Sequence, residues 1–404
     1  MQDSPLFSQI HLGYAPLVDH RRDITGIRLT LVPARSDAQP DAAELFRLIC
    51  AAFEPTEGAK SDAPLSLLLN IASQPLLDQL LRLQPPAWLG VEIPSFMTSD
   101  PATADQLRAL HRQGVSLVAK GRTVSAMQAP LMGCFSAVIA DATDEDLGID
   151  RPASQGPRPL PTYIDGTRTA AEVDLAFMGG AQAVVGWPVL DDTRPPPRGG
   201  VAPDLRAIIE LMNLVDRQDS ADSMERVLKS DPTLAFRLLR FINSSAFGLR
   251  VEVTSFRHAL MLLGHLRLKR WLALLLASAI KDAASRPLLH LAVRRGFMME
   301  ELAVAAGQEQ LRGEMFICGV FSLLDKMMRQ PFEHLLEHVP MPSRVQVSLL
   351  GDGGPYTPHL HLMAALEHSS FVEVRDAAER LQVSPAEVNR VLMSALISAR
   401  ELEV

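Results

Sequence analysis

The segment GVSLVAKGR, residues 114–122, starts like a buried strand and ends in two cations flanking a glycine. Its small and apolar residues are typical of a strand in a parallel sheet, and Lys120 and Arg122 follow at the point where that strand should end. In (β/α) barrels the residues at the C-terminal ends of the strands carry the chemistry. The sequence therefore raises the question of what a barrel site can do when one strand contributes positive charge.

Patterns for other kinds of chemistry are weak or missing. Residues 334–338 match the H-x-x-E-H pattern of zinc proteases, but no third ligand is evident, and two ordinary histidines on a solvated helix are the simpler interpretation. None of the 11 histidines is followed by aspartate. The sequence also has no G-x-S-x-G elbow, no P-loop and no G-x-G-x-x-G motif. These absences argue against an HD-type hydrolase, a serine hydrolase and a glycine-rich phosphate loop.

The composition and net charge limit which classes of protein this chain can belong to. The 404 residues are 47% hydrophobic and 21% charged, which is typical of a globular chain with two domains. The net charge is −8: residues 1–196 hold 15 basic and 23 acidic side chains, and residues 197–404 hold 24 of each. This balance argues against nucleic-acid binding, which needs a surplus of cations.

Cysteine spacing and apolar runs indicate a cytoplasmic protein. Cys50, Cys134 and Cys318 lie far apart and form no CxxC pair, so no disulfide framework or zinc ribbon is implied. The N-terminal residues lack the pattern of a signal peptide. The most apolar run, residues 271–280, is too short to cross a bilayer.

A segment rich in proline and glycine, DDTRPPPRGG at residues 191–200, predicts a linker between two domains. Before it, apolar runs at residues 27–32, 65–71, 88–93, 115–119, 135–140 and 181–187 alternate with helical patterns at 42–53 and 102–114. This alternation predicts a parallel sheet covered by helices. A small or incomplete (β/α) barrel, eroded by a loop at residues 141–161, is the favoured interpretation, with an open doubly wound sheet as the alternative.

Beyond the linker the sequence predicts an all-helical domain. Helical spacing covers residues 204–215, 231–248, 255–280 and 384–403, the last opening on a capping box formed by Ser384 and Glu387. Residues 228–278 resemble the HDOD domain through its D-P-x-L start, its R-L-L-R-x-x-N-S-x-x-F-G turn and a later T-S-x-x-x-A-x-x-x-L-G segment. The corresponding residues are Asp231, Pro232, Leu234, Arg237–Arg240, Asn243, Ser244, Phe247, Gly248, Thr254, Ser255, Ala259, Leu263 and Gly264.

The remaining helices resemble the C-terminal part of bacterial proteins that join an EAL domain to an HDOD domain. The resemblance implies that the helical half is a protein-interaction module with the fold of HD phosphohydrolases but without their metal-binding His and Asp. It also implies that the first half is an EAL-like domain, which is a modified TIM barrel that hydrolyses cyclic di-GMP with divalent metals at its strand ends.

The EAL resemblance assigns functional positions to residues of this chain. Two ligand positions keep the family's residue type, as Asn70 and Glu92. The other positions differ: Arg28 stands for the Glu of the E-A-L motif, Lys120 and Gly121 for the paired Asp, Ile139 for the catalytic Lys, and Thr162 for a further Glu.

Arg28 and Lys120 place positive charge where the EAL resemblance implies negative charge. Two-metal hydrolysis needs carboxylates, and a cation a few Å from a divalent ion repels it by roughly several kcal/mol at an effective dielectric near 20. We expect Arg28 and Lys120 to take the place of the ions and to pair with Glu92. The alternative is that both side chains point to solvent.

We therefore expect an α/β plus all-α chain: a degenerate EAL-type (β/α) TIM-like barrel over residues 1–190, a linker over 191–200 and an HDOD helical domain over 201–404. We expect no enzyme activity, cofactor or catalytic metal. The expected function is a signalling scaffold that binds other signalling or regulatory proteins, linked to cyclic di-GMP control of motility, biofilm or virulence. Nucleic acid, membrane insertion and cyclic di-GMP binding are not expected.

Two alternatives stay open. The first is a sensor that binds cyclic di-GMP without cleaving it, since Arg28, Lys120 and Arg122 would attract an anion. The second is a residual cyclic di-GMP phosphodiesterase.

Overall fold

The computed structural model of the chain describes residues 4–35, 37–54, 67–121, 129–143, 160–189, 203–230, 234, 256–280, 283–351 and 353–402. These residues form two compact units. One unit combines Met1–Asp192 with Leu362–Arg390, and the other combines Thr193–His361 with Val391–Val404.

Eight strands of the first unit close into a barrel whose order around the sheet follows the chain. β1 is antiparallel to both β2 and β8, and all other neighbours pair in parallel. The strands are β1 (Ile10–Asp19), β2 (Ile24–Pro33), β3 (Leu67–Ile71), β4 (Leu89–Pro94), β5 (Ser116–Lys120), β6 (Ala137–Asp141), β7 (Thr162–Asp165) and β8 (Ala183–Val185).

Closure of the sheet confirms the predicted barrel and shows that the open-sheet alternative is wrong. It also corrects the expectation of an incomplete barrel, because β6 and β7 pair directly in parallel on either side of the predicted loop. Residues 144–159 of that loop lie outside the described residues.

Five helices belong to the barrel segment: α1 (Ala42–Phe53), α2 (Gln74–Arg82), α3 (Pro101–Arg112), α4 (Ala129–Met132) and α5 (Ala170–Met178). Local sequence explains where they start. Asp41 and Asp100 accept hydrogen bonds from backbone N–H groups of the first turns of α1 and α3, and Pro101 supplies the first residue of α3. The α3 chain then turns at Gly114, whose φ of +84° favours glycine.

The rest of the described chain is helical, as predicted. Its helices are α6 (Pro203–Asp216), α7 (Ala221–Ser230), α8 (Phe256–Ser278), α9 (Arg286–Ala305), α10 (Arg312–Phe321), α11 (Leu324–Met328), α12 (Phe332–Leu336), α13 (Ser343–Leu349), α14 (Thr357–Glu367), α15 (Phe371–Leu381) and α16 (Pro385–Leu402). Glycines let α9 and α10 approach closely, since a Cβ at Gly319 would lie 2.5 Å from the backbone of Arg295. No helix within the described ranges has both the length and the apolar character needed to cross a membrane.

The C-terminal segment Leu362–Arg390 packs with the barrel rather than with the helical unit. Within β1, only Leu17–Asp19 pair with β8. The backbone groups of β1 before Leu17 therefore need other hydrogen-bond partners on that edge of the strand. The buried amide of Asn389 supplies them: its Oδ1 accepts from Leu12 N–H at 3.0 Å, and its Nδ2 donates to the carbonyls of Ile10 at 2.7 Å and Phe7 at 2.8 Å.

This packing differs from the predicted assignment of all residues from 201 to 404 to the helical domain. The backbone N–H and C=O groups at a strand edge need hydrogen-bond partners, and Asn389 of α16 provides them here. The predicted linker, residues 191–200, lies outside the described residues and stays a prediction.

Substituting Asn389 with alanine is expected to lower the free energy of unfolding by about 2–4 kcal/mol, because one N–H and two carbonyls of the barrel edge lose buried partners. Urea titration followed by tryptophan fluorescence measures the loss. Glu379→Ala, at an exposed position of α15, is the matched control and should change stability by less than about 0.5 kcal/mol. Equal stability of the two variants would contradict the role of Asn389.

Candidate functional site

Four charged side chains meet at the C-terminal ends of the barrel strands. Arg28 comes from β2, Glu92 from β4, Lys120 from β5 and Asp165 from β7. We call these four residues the ion network. Since successive residues of a strand alternate between faces, the residues two positions earlier on β5 and β7 should share the inward face.

An apolar core fills the barrel beneath the ion network. Val118 and Tyr163, two residues before Lys120 and Asp165, belong to it. Its members are Ala15, Leu17, Leu68, Val118, Ala137, Ile139, Tyr163, Ala183 and Val185, all at most 8% exposed. Burial raises the pKa of Tyr163, which is consistent with a dry interior. Arg28 lies level with Ala15 and Leu68, and Glu92 lies level with Val118, so the two inner charged groups sit beside core residues, whereas Lys120 and Asp165 end their strands.

The guanidinium of Arg28 is the centre of the ion network. Its Nε and Nη2 donate to the two carboxylate oxygens of Glu92 at 2.6 and 2.8 Å, a bidentate contact, while Nη1 donates to Asp165 Oδ2 at 2.7 Å. Lys120 lies further out, with Nζ 3.6 Å from Glu92 and 3.9 Å from Asp165. The predicted pairing of both cations with Glu92 is present, and the alternative in which they point to solvent is not.

Arg28 and Glu92 are more deeply buried than Lys120 and Asp165. The Glu92 side chain is 1% exposed and that of Arg28 is 8% exposed, whereas Asp165 and Lys120 are 27% and 35% exposed. Burial alone would lower the pKa of Arg28, but attraction and hydrogen bonds from Glu92 and then Asp165 outweigh it and raise that pKa above its ordinary value. Arg28 is thus held in its charged form, and two positive and two negative charges balance.

Asn70 and Ile139 also lie at this end of the barrel. The Asn70 amide donates to the hydroxyl of Thr30 at 3.4 Å, across the β2–β3 pair. Ile139 is 1% exposed and packs in the apolar core, so the position that the resemblance assigns to a catalytic Lys carries no charge.

Gly121 is required by the backbone at the end of β5. Its φ is +117°, in the region that favours glycine, and a Cβ there would lie 2.8 Å from Ser95 Oγ. A carboxylate residue at position 121 would therefore strain this turn. Arg122, which the sequence analysis grouped with Lys120, lies outside the described residues.

The assignment of Thr162 to the site needs correction. Tyr163 faces the barrel core and Ile164 packs outward against Val173 and Ala176 of α5, so alternation puts Thr162 on the outer face of β7. The residue of this strand that reaches the ion network is Asp165, which the sequence analysis missed. Two features of the sequence could have indicated Asp165: it lies two residues after Tyr163, and it directly precedes Gly166, whose φ is +82°.

Most HDOD positions named from the sequence cannot be located. Asp231, Pro232, Arg237, Asn243, Ser244, Phe247 and Gly248 lie outside the described residues. Gly264 is described, and it interrupts α8 with φ 68° and ψ 171°. The H-x-x-E-H segment does not form one continuous helix, because α12 ends at Leu336. Within the described part of the chain, no group of three or more His, Cys, Asp or Glu side chains is arranged to hold a metal ion.

The ion network does not suit a divalent metal. The carboxylates that would bind it, Glu92 and Asp165, already contact the Arg28 guanidinium, and Lys120 lies within 4 Å of both. A single positive charge about 4 Å from a divalent ion would repel it by about 8 kcal/mol at an effective dielectric of 20. The oxygens that a hard cation would need are thus satisfied by nitrogen donors.

Comparison with known proteins identifies one domain family and two curated relatives. Residues 203–331 match the family model of the HDOD domain. The chain is 28% identical over 172 residues to the Vibrio cholerae protein named cyclic di-GMP phosphodiesterase CdgJ, a match covering 43% of this chain and 40% of that protein. It is 27% identical over 184 residues to the uncharacterized Bacillus subtilis protein YuxH, covering 44% of each. The matches thus span less than half the length of these curated relatives.

Solved structures with similarity to the chain include EAL proteins. A structure described as PaMucR phosphodiesterase in complex with c-di-GMP has a TM-score of 0.31 and 15% identity, covering 45% of this chain and 90% of that chain. Klebsiella pneumoniae BlrP1, in a manganese and cyclic di-GMP complex, has a TM-score of 0.31 and 13% identity, covering 46% of this chain and 56% of that chain.

Substituting Arg28 with methionine is expected to lower the free energy of unfolding by about 3–5 kcal/mol, because it leaves the buried Glu92 carboxylate without its bidentate partner. Lys120→Met, at the partly exposed position, should cost at most about 1 kcal/mol. Urea titration measures both. A larger loss for Lys120→Met than for Arg28→Met would contradict the assignment of Arg28 as the central cation.

The double variant Arg28→Met with Glu92→Leu should be more stable than Arg28→Met alone, since it removes the stranded charge together with its partner. The same titration gives the coupling energy between the two residues. Additive losses would show that the pair does not interact in the folded protein.

Proposed function

We propose that this chain, an eight-stranded barrel joined to an HDOD domain, is a non-catalytic signalling protein that acts in a cyclic di-GMP network by binding other proteins. The link to cyclic di-GMP is supported by the relative named cyclic di-GMP phosphodiesterase CdgJ and by the EAL resemblance of the barrel sequence. The protein-binding role is supported by the HDOD match over residues 203–331.

One observation carries the non-catalytic part of the proposal. The Arg28 guanidinium binds the carboxylates of Glu92 and Asp165 at the mouth of the barrel. Hydrolysis of a phosphodiester by two metals requires carboxylates that are free to hold the ions and to position an attacking water. Here the carboxylates neutralise fixed side-chain cations, so the pocket keeps its charge balance without any ion.

A second feature supports the same proposal. The interior face beside the ion network is apolar, and Ile139 stands at the position that the EAL resemblance assigns to the catalytic Lys. Tyr163, the titratable side chain in that layer, has its pKa raised by burial and so stays protonated near neutral pH.

Isothermal calorimetry of the full chain with Mg²⁺ and Mn²⁺, followed by a hydrolysis assay on cyclic di-GMP with the same ions, tests the proposal. We expect no stoichiometric heat and no linear product, because both carboxylates are already paired. Metal-dependent hydrolysis that disappears in Glu92→Gln would instead establish a residual phosphodiesterase.

Arg28→Glu is the informative comparison in that experiment. It would place a third carboxylate beside Glu92 and Asp165, and combining it with Lys120→Met removes the other cation, so the double variant should gain Mn²⁺ binding. A folded double variant that still binds no Mn²⁺ would show that these two cations are not what excludes the ion.

Equilibrium binding of fluorescent cyclic di-GMP separates the scaffold from a sensor. The proposal predicts no saturable binding in the micromolar range, since the mouth cations are engaged by Glu92 and Asp165. Saturable binding that is lost in Lys120→Met would make the barrel a cyclic di-GMP sensor and overturn the scaffold proposal.

A further inference from the structure

Three arginines lie near one another in the helical unit. Arg267 and Arg270 belong to α8, and Arg312 is the first residue of α10. We call these three residues the arginine cluster. Arg270 Nη1 contacts Glu300 Oε1 of α9 at 2.8 Å, and Arg312 Nη2 contacts the same oxygen at 3.1 Å.

The position of Arg270 is fixed by aromatic rings as well as by Glu300. Its guanidinium carbon lies 4.0 Å from the centre of the Phe316 ring and 5.2 Å from that of Phe297. These cation–π contacts hold the guanidinium plane in one orientation. Arg270 is therefore held in place, and it fixes the Glu300 carboxylate that also contacts Arg312.

The arginine cluster has more positive charge than Glu300 neutralises. Burial lowers the pKa of Arg270, attraction by Glu300 opposes that shift, and the neighbouring charges of Arg312 and Arg267 add to it. Arg267 lies three residues before Arg270 and so on the same side of α8, while Arg312 shares the Glu300 oxygen with Arg270. An additional negative charge placed among these three cations would relieve the repulsion between them.

The arginine cluster is also accessible. The side chain of Arg312 is 45% exposed and that of Arg270 is 28% exposed, while Arg267 is exposed. Beside them, Leu266 is 57% exposed, and it packs against α10 at Gly313, where a Cβ would lie 2.6 Å from its Cδ1. Cations from two helices next to an exposed apolar side chain form a surface rather than a closed pocket.

We propose that the arginine cluster is a docking surface for an acidic segment of a partner protein, with carboxylates of that segment bound by the guanidinium groups of Arg312 and Arg267. Guanidinium groups bind carboxylates through paired N–H donors, which suits an extended run of Glu or Asp side chains. Leu266 would contact an apolar residue beside that run. This inference rests on the proposed protein-binding function and specifies where and how binding occurs.

Fluorescence anisotropy with a fluorescein-labelled hexaglutamate peptide as the probe tests the inference on the full chain. Binding should weaken by about tenfold in Arg312→Glu and in Arg267→Glu, because each reversal replaces an attraction with a repulsion. Arg206→Glu, which makes the same charge change at an exposed position of α6, should bind within about twofold of the unmodified chain. Thermal unfolding confirms that the variants are folded.

Glu300→Gln adds a readout that loss of structure would not produce. Removing the competing carboxylate should strengthen hexaglutamate binding, since Arg270 and Arg312 then lack their internal counter-charge. Unchanged binding in the two cluster variants, or equal loss in Arg206→Glu, would overturn the inference. Displacement of the peptide by millimolar inorganic phosphate would also overturn it in favour of a small-anion site. None of these outcomes bears on metal binding or hydrolysis by the barrel, so the two proposals fail separately.

Discussion

The guanidinium of Arg28 reaches from β2 into the mouth of the barrel and binds carboxylates on β4 and β7. Burying a carboxylate such as Glu92 without a partner would cost several kcal/mol, so the strands can keep it inside only while the arginine is there. The bidentate contact also fixes both side chains in one geometry. Lys120 completes the charge balance from a wetter position, where its contribution to stability is small.

The same pairing balances the charge of a carboxylate that stands at a ligand position of the EAL resemblance. At the ligand position held by Glu92, both carboxylate oxygens already accept hydrogen bonds from Arg28. At position 121 the backbone itself excludes a carboxylate residue, since φ is positive and Ser95 lies where a Cβ would be. Charge and backbone conformation at these two positions thus both depart from what a carboxylate metal site needs.

Several parts of this structure could be predicted from the sequence because the signals are local. The strands are apolar runs, the first helices carry Asp caps, and a cation in place of a carboxylate must find a counter-charge. Asp165 could be predicted only from strand alternation, because it lies two residues after the inward-facing Tyr163. Alignment with the EAL family instead pointed to Thr162, which lies on the outer face of β7. Asn389 could not be predicted, because its partner Leu12 is 377 residues away and nothing in the sequence of α16 marks the contact. The break at Gly264, by contrast, has a local signal, since its φ of 68° lies in the region that favours glycine.

Crystals of the full chain soaked in Mn²⁺ and measured for anomalous scattering would test the role of Arg28 most directly. We expect electron density that places the Arg28 guanidinium within hydrogen-bond distance of Glu92 and Asp165, and no anomalous peak at the mouth of the barrel. An anomalous peak coordinated by Glu92 and Asn70, with Arg28 displaced, would show that the barrel holds a metal and would contradict the account.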